Sequence, residues 1–315
     1  MGDIMSYLMT DEKHYNTFNN YLKNRFHHKV FKVSLNAGMT CPNRDGTKSN
    51  IGCLYCSELL SGDFAGNVLD SFQVQFEKIK NMELKKWNEA TYIAYLQAGS
   101  NTYNKVDTLK EIYQTIINLD SHIEILDIAT RPDCINKEIV DLLKEINKQK
   151  EVWIELGLQS ASEKTLKFIN TCYSLKDFEQ AIKLLNEANI KTIVHIIDGL
   201  PYETKDDMLN TIKYLNQFDL FGIKIHMLHL LKNTPLLEIY NKEQFHILTL
   251  TEYVEIVTSQ LRLLKPSIII HRLTGDGKKE DLVKPLWTLK KFVVLNEIDK
   301  YLRKYNYYQG DLWKE

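Results

Sequence analysis

Residues 31–57 read FKVSLNAGMTCPNRDGTKSNIGCLYCS. The stretch opens on alternating apolar residues of β-forming type, the mark of a strand. From Asn36 onwards it is rich in Asn, Gly, Pro and Asp, the mark of a loop. Cys41 lies just past the strand. Eleven residues separate it from Cys53, and two separate Cys53 from Cys56. Three cysteines on one loop at a strand end make a compact soft-ligand site, and thiolates suit iron–sulfur clusters and zinc.

The number three bears on the choice. Structural zinc takes four protein ligands, so a zinc site here would need a histidine such as His27 or His28. Three thiolates on a [4Fe–4S] cluster leave one iron open. That iron is free to chelate the amino and carboxylate groups of S-adenosylmethionine (SAM), whose reductive cleavage yields a carbon radical. Spacing alone leaves both readings standing.

Outward from the loop, short β-branched and aromatic runs alternate with longer amphipathic stretches. Strands are expected at Val30–Leu35, Tyr92–Gln97, Ile123–Ile128, Val152–Leu156, Thr192–Ile197 and Ile223–Leu228. Helices are expected between them, near Val68–Lys86, Thr108–Leu119, Asn136–Lys148, Ser162–Phe168, Ser174–Ala188 and Thr204–Gln217. Ser174 with Asp177 and Thr108 with Glu111 have capping-box spacing. This alternation predicts an α/β fold with right-handed crossovers and a parallel sheet, either doubly wound or a curved partial barrel, with ligands beyond the C-terminal strand ends. Residues 1–29 form a basic N-terminal extension and 30–235 the core. Residues 236–315 form a C-terminal extension on the core, with a helix near Thr249–Leu263, the run Ile268–Ile270 and a closing helix near Leu289–Tyr305.

The 315 residues are 44% hydrophobic and 26% charged, with a net charge of −1. Global charge therefore selects no partner. Locally, Lys13, Lys23, Arg25, Lys29, Lys32, Arg44 and Lys48 face one acid, Asp45, between positions 13 and 48. Such an arm either binds phosphates or is simply solvated. No apolar run approaches the length of a membrane span. The start of the chain has no secretory pattern, and Gly2 with Ser6 is a poor match to an acylation signal. Five cysteines in a chain of this kind point to metal or redox use rather than disulfides, in a cytoplasmic setting.

The segment CPNRDGT…GCLYC resembles the small radical SAM family that includes the bacterial YhcC and YtqA proteins. More distantly, it is similar to the radical SAM domain of the Elongator catalytic subunit. The resemblance continues, in order, through QAGSNTY (97–103), ATRPD (129–133), WIELGLQS (153–160), VHIIDGLPYE (194–203), HRLTGD (271–276) and PLWTL (285–289). It implies a partial (β/α)6 TIM-like barrel of the radical SAM type. It also implies a [4Fe–4S] cluster on Cys41, Cys53 and Cys56, with SAM at the mouth. The wide gap between the first two cysteines is shared with that family. Thr171-Cys172-Tyr173 departs from it, since its members often carry Arg-Gly-His there.

The strand ends supply the expected SAM contacts. Gln97 is placed at the methionine pocket and Gly99 where a backbone must come close. Arg131 is placed to pair with a carboxylate of SAM or substrate, or else in a structural salt bridge. Glu155 and Gln159 flank Gly157, with Gln159 and Ser160 set for the ribose hydroxyls. Asp198, Gly199 and Leu200 end the fifth strand, where such folds pack adenine. His195 is kept as a site residue. Cys134 and Cys172 are taken as ordinary thiols.

The resemblance implies hydrogen-atom abstraction from an unactivated carbon and an electron donor such as flavodoxin or ferredoxin. It points to tRNA as substrate, with the wobble uridine's 5-carboxymethylaminomethyl group converted to aminomethyl. With no acetyltransferase segment in these residues, an acetyl-CoA reaction is not expected. A radical SAM enzyme of small molecules and a zinc-bound nucleic-acid-binding module are the alternatives.

Overall fold

The computed structural model describes residues 9–87 and 89–314. Gly2, Ser6 and the start of the N-terminal extension lie outside them. All six expected strands are present as β1 (Val30–Leu35), β2 (Thr91–Leu96), β3 (Ile123–Thr130), β4 (Glu151–Gln159), β5 (Lys191–Asp198) and β6 (Gly222–Met227). They pair in parallel and in sequence order. After β6, β7 (Leu230–Leu231) leaves the sheet. The run expected around Ile268–Ile270 then forms β8 (Ile269–Arg272), a seventh strand parallel to β6. The C-terminal extension thus lengthens the sheet rather than only packing on it. The sheet is a curled, seven-stranded half-barrel of the radical SAM type. A short antiparallel pair of β7 with β9 (Leu282–Lys284) lies apart.

Helices follow the strands as α2 (Phe72–Leu84), α3 (Val106–Ile117), α4 (Lys137–Asn147), α5 (Glu163–Phe168), α6 (Leu175–Glu187) and α7 (Lys205–Leu215). Beyond β7 come α8 (Pro235–Lys242), α9 (Leu250–Leu263) and α10 (Lys291–Tyr305). The capping box of Ser174 and Asp177 forms. The one expected at Thr108 and Glu111 does not, because α3 starts earlier, at Val106, behind a Lys105 that makes no side-chain cap.

Alternate strand residues face opposite ways. The outward set, including Val33, Leu96, Leu126, Ile154, Val194 and Ile225, packs under the helices as the main core. The inward set begins at the N-terminal strand ends with an apolar floor of Val30, Ile93, Ile125, Trp153 and Ile193. An N-terminal helix, α1 (Phe18–Phe26), seals this floor. Its Leu22 joins the floor, and its Phe18 stacks on His271 with ring centroids 4.1 Å apart.

This plug corrects the expectation of one continuous basic arm. Lys13, Lys23, Arg25 and Lys29 precede β1, and Arg44 and Lys48 follow it, so the two groups sit at opposite ends of the barrel. Several are also neutralised: Lys13 by Asp299, Arg25 by Glu151 and Lys48 by Asp133. Lys32 points into the barrel against Asp127 and Glu155. The arm does not form one grip at the mouth.

Candidate cluster and cofactor site at the barrel mouth

The cysteine loop leaves β1 at the C-terminal end of the sheet and is held by its own turns. The amides of Arg44 and Lys48 donate to the carbonyls of Cys41 and Pro42, each at 2.8 Å. Arg44 donates its guanidinium to the carbonyl of Cys56 at 2.8 Å. A second loop, after α5, buttresses the first. The Leu54 amide donates to the Ile169 carbonyl at 2.9 Å, and Asn170 donates to the Gly52 carbonyl at 2.8 Å. Fully buried Asn43 donates to the Asn170 carbonyl at 2.5 Å, and its amide nitrogen lies 3.5 Å from Cys53 Sγ.

This donor set fits an iron–sulfur cluster. Cys41 is buried, and Cys53 and Cys56 are half-buried. Burial, with neighbouring Cys56 adding to it, pushes the Cys53 thiol up to about 12, so thiolate forms there only when a metal takes the proton's place. A single zinc would draw its sulfurs to within about 3.8 Å of each other. Among the described residues no three His, Cys, Asp or Glu side chains are gathered as a single-ion site. A cubane instead places each thiolate on a different iron, which spreads them. His27 and His28 are at the wrong end: both precede β1, and His28 contacts Thr91 at the start of β2. They cannot complete a zinc site with Cys41.

The expected strand-end residues divide into those at the mouth and those elsewhere. Gly99 has φ +77°, and a Cβ there would lie 2.2 Å from the Met39 carbonyl oxygen, so only glycine lets β2 end this close to the cysteine loop. Gln97 donates to the Ser61 carbonyl at 2.8 Å. Arg131 is held by Asp133 through two bonds of 2.9 and 3.0 Å and donates to the Thr171 carbonyl at 2.8 Å. The salt-bridge alternative is therefore the one its side chain adopts, and it stacks over Tyr173, 5.0 Å from the ring centre. Cys134 is buried, which pushes its thiol up to about 12, and Cys172 is exposed. Cys172 has φ +57°, the left-handed region that favours glycine.

Gln159 ends β4, also with positive φ, and its amide would lie 2.6 Å from a Cβ on Gly157. Ser160 is buried and donates to Glu203. Leu200 belongs to an apolar cluster with Leu166, Ile169 and Tyr173, against which Leu54 and Tyr55 of the cysteine loop pack. Gly199 turns the chain here, with φ +81° and its amide 3.2 Å from Met208 Sδ.

Asp198 faces the other way from its expected role. It sits on the outward side of β5, where Gln260 of α9 donates to its Oδ1 at 2.7 Å. Its Oδ2 and the Gln260 Oε1 are buried without partners. Burial raises the Asp198 carboxyl to about 8. The raised value means that stability is full below the unfolded carboxyl range and falls as pH rises through about 8. Asp198→Asn is expected to be more stable than the parent at pH 8, by roughly 1 kcal/mol or more, and to flatten this dependence. Urea unfolding at pH 6 and pH 8 checks it, and an Asn variant less stable at pH 8 would remove the argument.

Glu155 and His195 lie one layer below the mouth, inside the barrel. Glu155 is fully buried. Its Oε1 accepts from Lys32 at 2.6 Å, and its Oε2 accepts from Lys224 at 2.5 Å, Tyr95 at 2.6 Å and His195 Nε2 at 2.8 Å. Lys32 also pairs with Asp127. Desolvation works against the Glu155 charge, but Lys224, Lys32 and His195 overcome it and hold Glu155 well below the usual carboxylate range. Asp127, with Glu155 beside it, is raised to about 7 by burial and repulsion. Tyr95, Asp127 and Lys224 were not singled out from the sequence, and Lys32 only as part of the basic arm. Their signal was there: Lys32 and Lys224 are lone charges inside strand runs, Asp127 shares its run only with Glu124 near the start, and such charges must be paired when buried.

The sequence pattern of the Radical SAM superfamily matches residues 45–215, and that of the Radical_SAM C-terminal domain matches residues 221–304. YtqA of Bacillus subtilis, an uncharacterized protein, is 43% identical over 96% of this chain and 94% of its own length. A tRNA uridine(34) acetyltransferase of Methanocaldococcus infernus is 27% identical over 48% of this chain, which spans 28% of that protein. Among solved structures, the archaeal Methanocaldococcus infernus Elp3 superposes with a TM-score of 0.68 at 16% identity, covering 90% of this chain and 64% of that one. Radical SAM proteins use a [4Fe–4S] cluster and SAM, for which the three cysteines and the mouth of this barrel are suited. The chain belongs to the radical SAM superfamily and, within it, to the family of YtqA.

Proposed function

We propose that this radical SAM enzyme acts on the wobble uridine of tRNA and converts its 5-carboxymethylaminomethyl group to aminomethyl. The observation that carries the reading is the relative named for tRNA uridine(34), whose similarity covers 48% of this chain. Cys41, Cys53 and Cys56 would hold the cluster. Gln97, Gly99, Gln159, Ser160 and the backbone of Gly199 would line the SAM site. Bound there, cluster and SAM would supply abstraction of a hydrogen atom from the carboxymethyl methylene; with SAM as the two-electron oxidant, ending as methionine and 5′-deoxyadenosine, that carbon would be left as an imine, which water hydrolyses so that the carboxymethyl group leaves as glyoxylate and the amine stays on the base. The protein's part is placement: the buttressed loop fixes the cysteines, and the sealed floor keeps water out from below. A wobble base lies in a single-stranded loop, so it can turn into the mouth without unpairing a helix. Exposed Phe64 on the cysteine loop offers such a base a face to stack on.

The test uses tRNA from a strain lacking the gene. Reduced enzyme with SAM is incubated with that tRNA, and nucleosides are read by mass spectrometry. The wobble uridines should carry carboxymethylaminomethyl before the reaction and aminomethyl after it. Nucleosides identical to those of the parent strain would exclude this substrate.

A further inference from the structure

The interior layer beneath the mouth contains a histidine that is both fixed and open. His195 gives its Nε2 to Glu155 at 2.8 Å, and its side chain is 20% exposed, whereas Glu155 is not exposed at all. The carboxylate also receives Lys32, Lys224 and Tyr95, so it remains an acceptor and the proton of that bond belongs to the imidazole. A neutral imidazole with Nε2 protonated carries its lone pair on Nδ1. Among the described residues Nδ1 makes no hydrogen bond and is not among the buried orphan atoms. The ring of His226 lies 5.2 Å away, and its nitrogens share this condition. His271, in the aromatic floor, is the contrast: both of its ring nitrogens are buried and unpartnered.

We infer that Glu155 fixes the tautomer of His195, and that His195 Nδ1 is the barrel's hydrogen-bond acceptor for an N–H or O–H group of the substrate. Burial and the two lysines beside it favour an uncharged ring. Lys32 of β1 and Lys224 of β6 oppose a second positive charge, Glu155 of β4 favours one, and Asp127 of β3 pairs with Lys32; the His226 ring of β6, 5.2 Å away, is itself held uncharged by burial, with Arg272 of β8 contributing. Burial and Lys224 together hold His195 down to about 4, against the pull of Glu155. The acceptor therefore persists across the physiological range, where an ordinary histidine would lose it on protonation. This is substrate recognition rather than proton abstraction, because so weak a base accepts a hydrogen bond more readily than a proton. The inference rests on the tRNA reading only in naming the donor, which is then the amine of the carboxymethylaminomethyl group.

The experiment is nitrogen NMR of the full chain, with its cluster reconstituted anaerobically and histidines labelled with ¹⁵N. The His195 signals are assigned by their loss in His195→Gln. Nε2 should be protonated and Nδ1 bare at pH 7, unchanged at pH 5. Diethyl pyrocarbonate, read by peptide mass spectrometry, should label His195 and not His271. Glu155→Gln should release the tautomer, and if that variant fails to fold the parent spectra decide. A proton on Nδ1, an imidazolium at pH 7 or labelling of His271 before His195 overturns the inference. Correct spectra with unchanged tRNA would sink the substrate reading alone, and converted tRNA with the wrong tautomer would sink this one alone.

Discussion

Protein purified without oxygen is expected to be brown and to hold about four iron atoms per chain. Ala at Cys41, Cys53 or Cys56 should abolish the colour and the release of 5′-deoxyadenosine from SAM. In a three-thiolate [4Fe–4S] cluster each cysteine would bind a different iron, so none could substitute for another. The loop lies beyond the end of β1 and is held by Asn43, Arg44 and Asn170, so the barrel should fold without any one thiol. The controls are Cys134→Ser and Cys172→Ser, which lie outside the triad and should keep their iron. Iron and sulfide analysis with the electronic spectrum reads the result. A colourless parent protein with one tightly bound zinc would remove the cluster and the chemistry built on it.

The cysteine loop was legible because its signal is local: a strand, a run of turn residues and three thiols within one segment. The strands were legible for the same reason, since each is a short apolar run bounded by breakers. What the chain alone concealed is three-dimensional. Lys29 and Arg44 are close in sequence, but β1 runs the height of the barrel between them, so one basic segment became two separate groups. The closing run Ile269–Arg272 looked peripheral because its partner, β6, lies more than forty residues earlier.

Side-chain direction was the other hidden quantity. Alternation along a strand tells which residues share a face, but not which face looks into the barrel. Asp198 ends its strand beside the mouth, yet it faces α9 and meets Gln260. Glu155 was read as a mouth residue, but it is two places deeper than Gly157 on the same face and is occupied by Lys32, Lys224, Tyr95 and His195. That layer takes its residues from all six strands, β1 to β6, so its charges are matched only once the sheet is in register.

The same layer gives the largest stability effect expected in the molecule. Removing one partner of a buried ion pair leaves the other charge uncompensated, at a cost of about 3–5 kcal/mol. Glu155→Ala strips the carboxylate shared by Lys32 and Lys224 and leaves both lysines with Asp127, whose own carboxyl is raised to about 7. Urea unfolding at pH 7 should show a loss of that size. Lys224 has an escape, because burial already lowers it to about 8. Without Glu155 its folded value falls further below the ordinary lysine range, so the unfolded chain binds more protons and stability rises with pH through that window. The deficit of Glu155→Ala should therefore shrink between pH 7 and pH 9. Glu155→Met combined with Lys224→Met removes the pair together, fills the space with apolar atoms and should be more stable than the single Ala variant. A single variant as stable as the parent, or a deficit that grows with pH, would mean that the layer is not the buried charge lattice its distances describe.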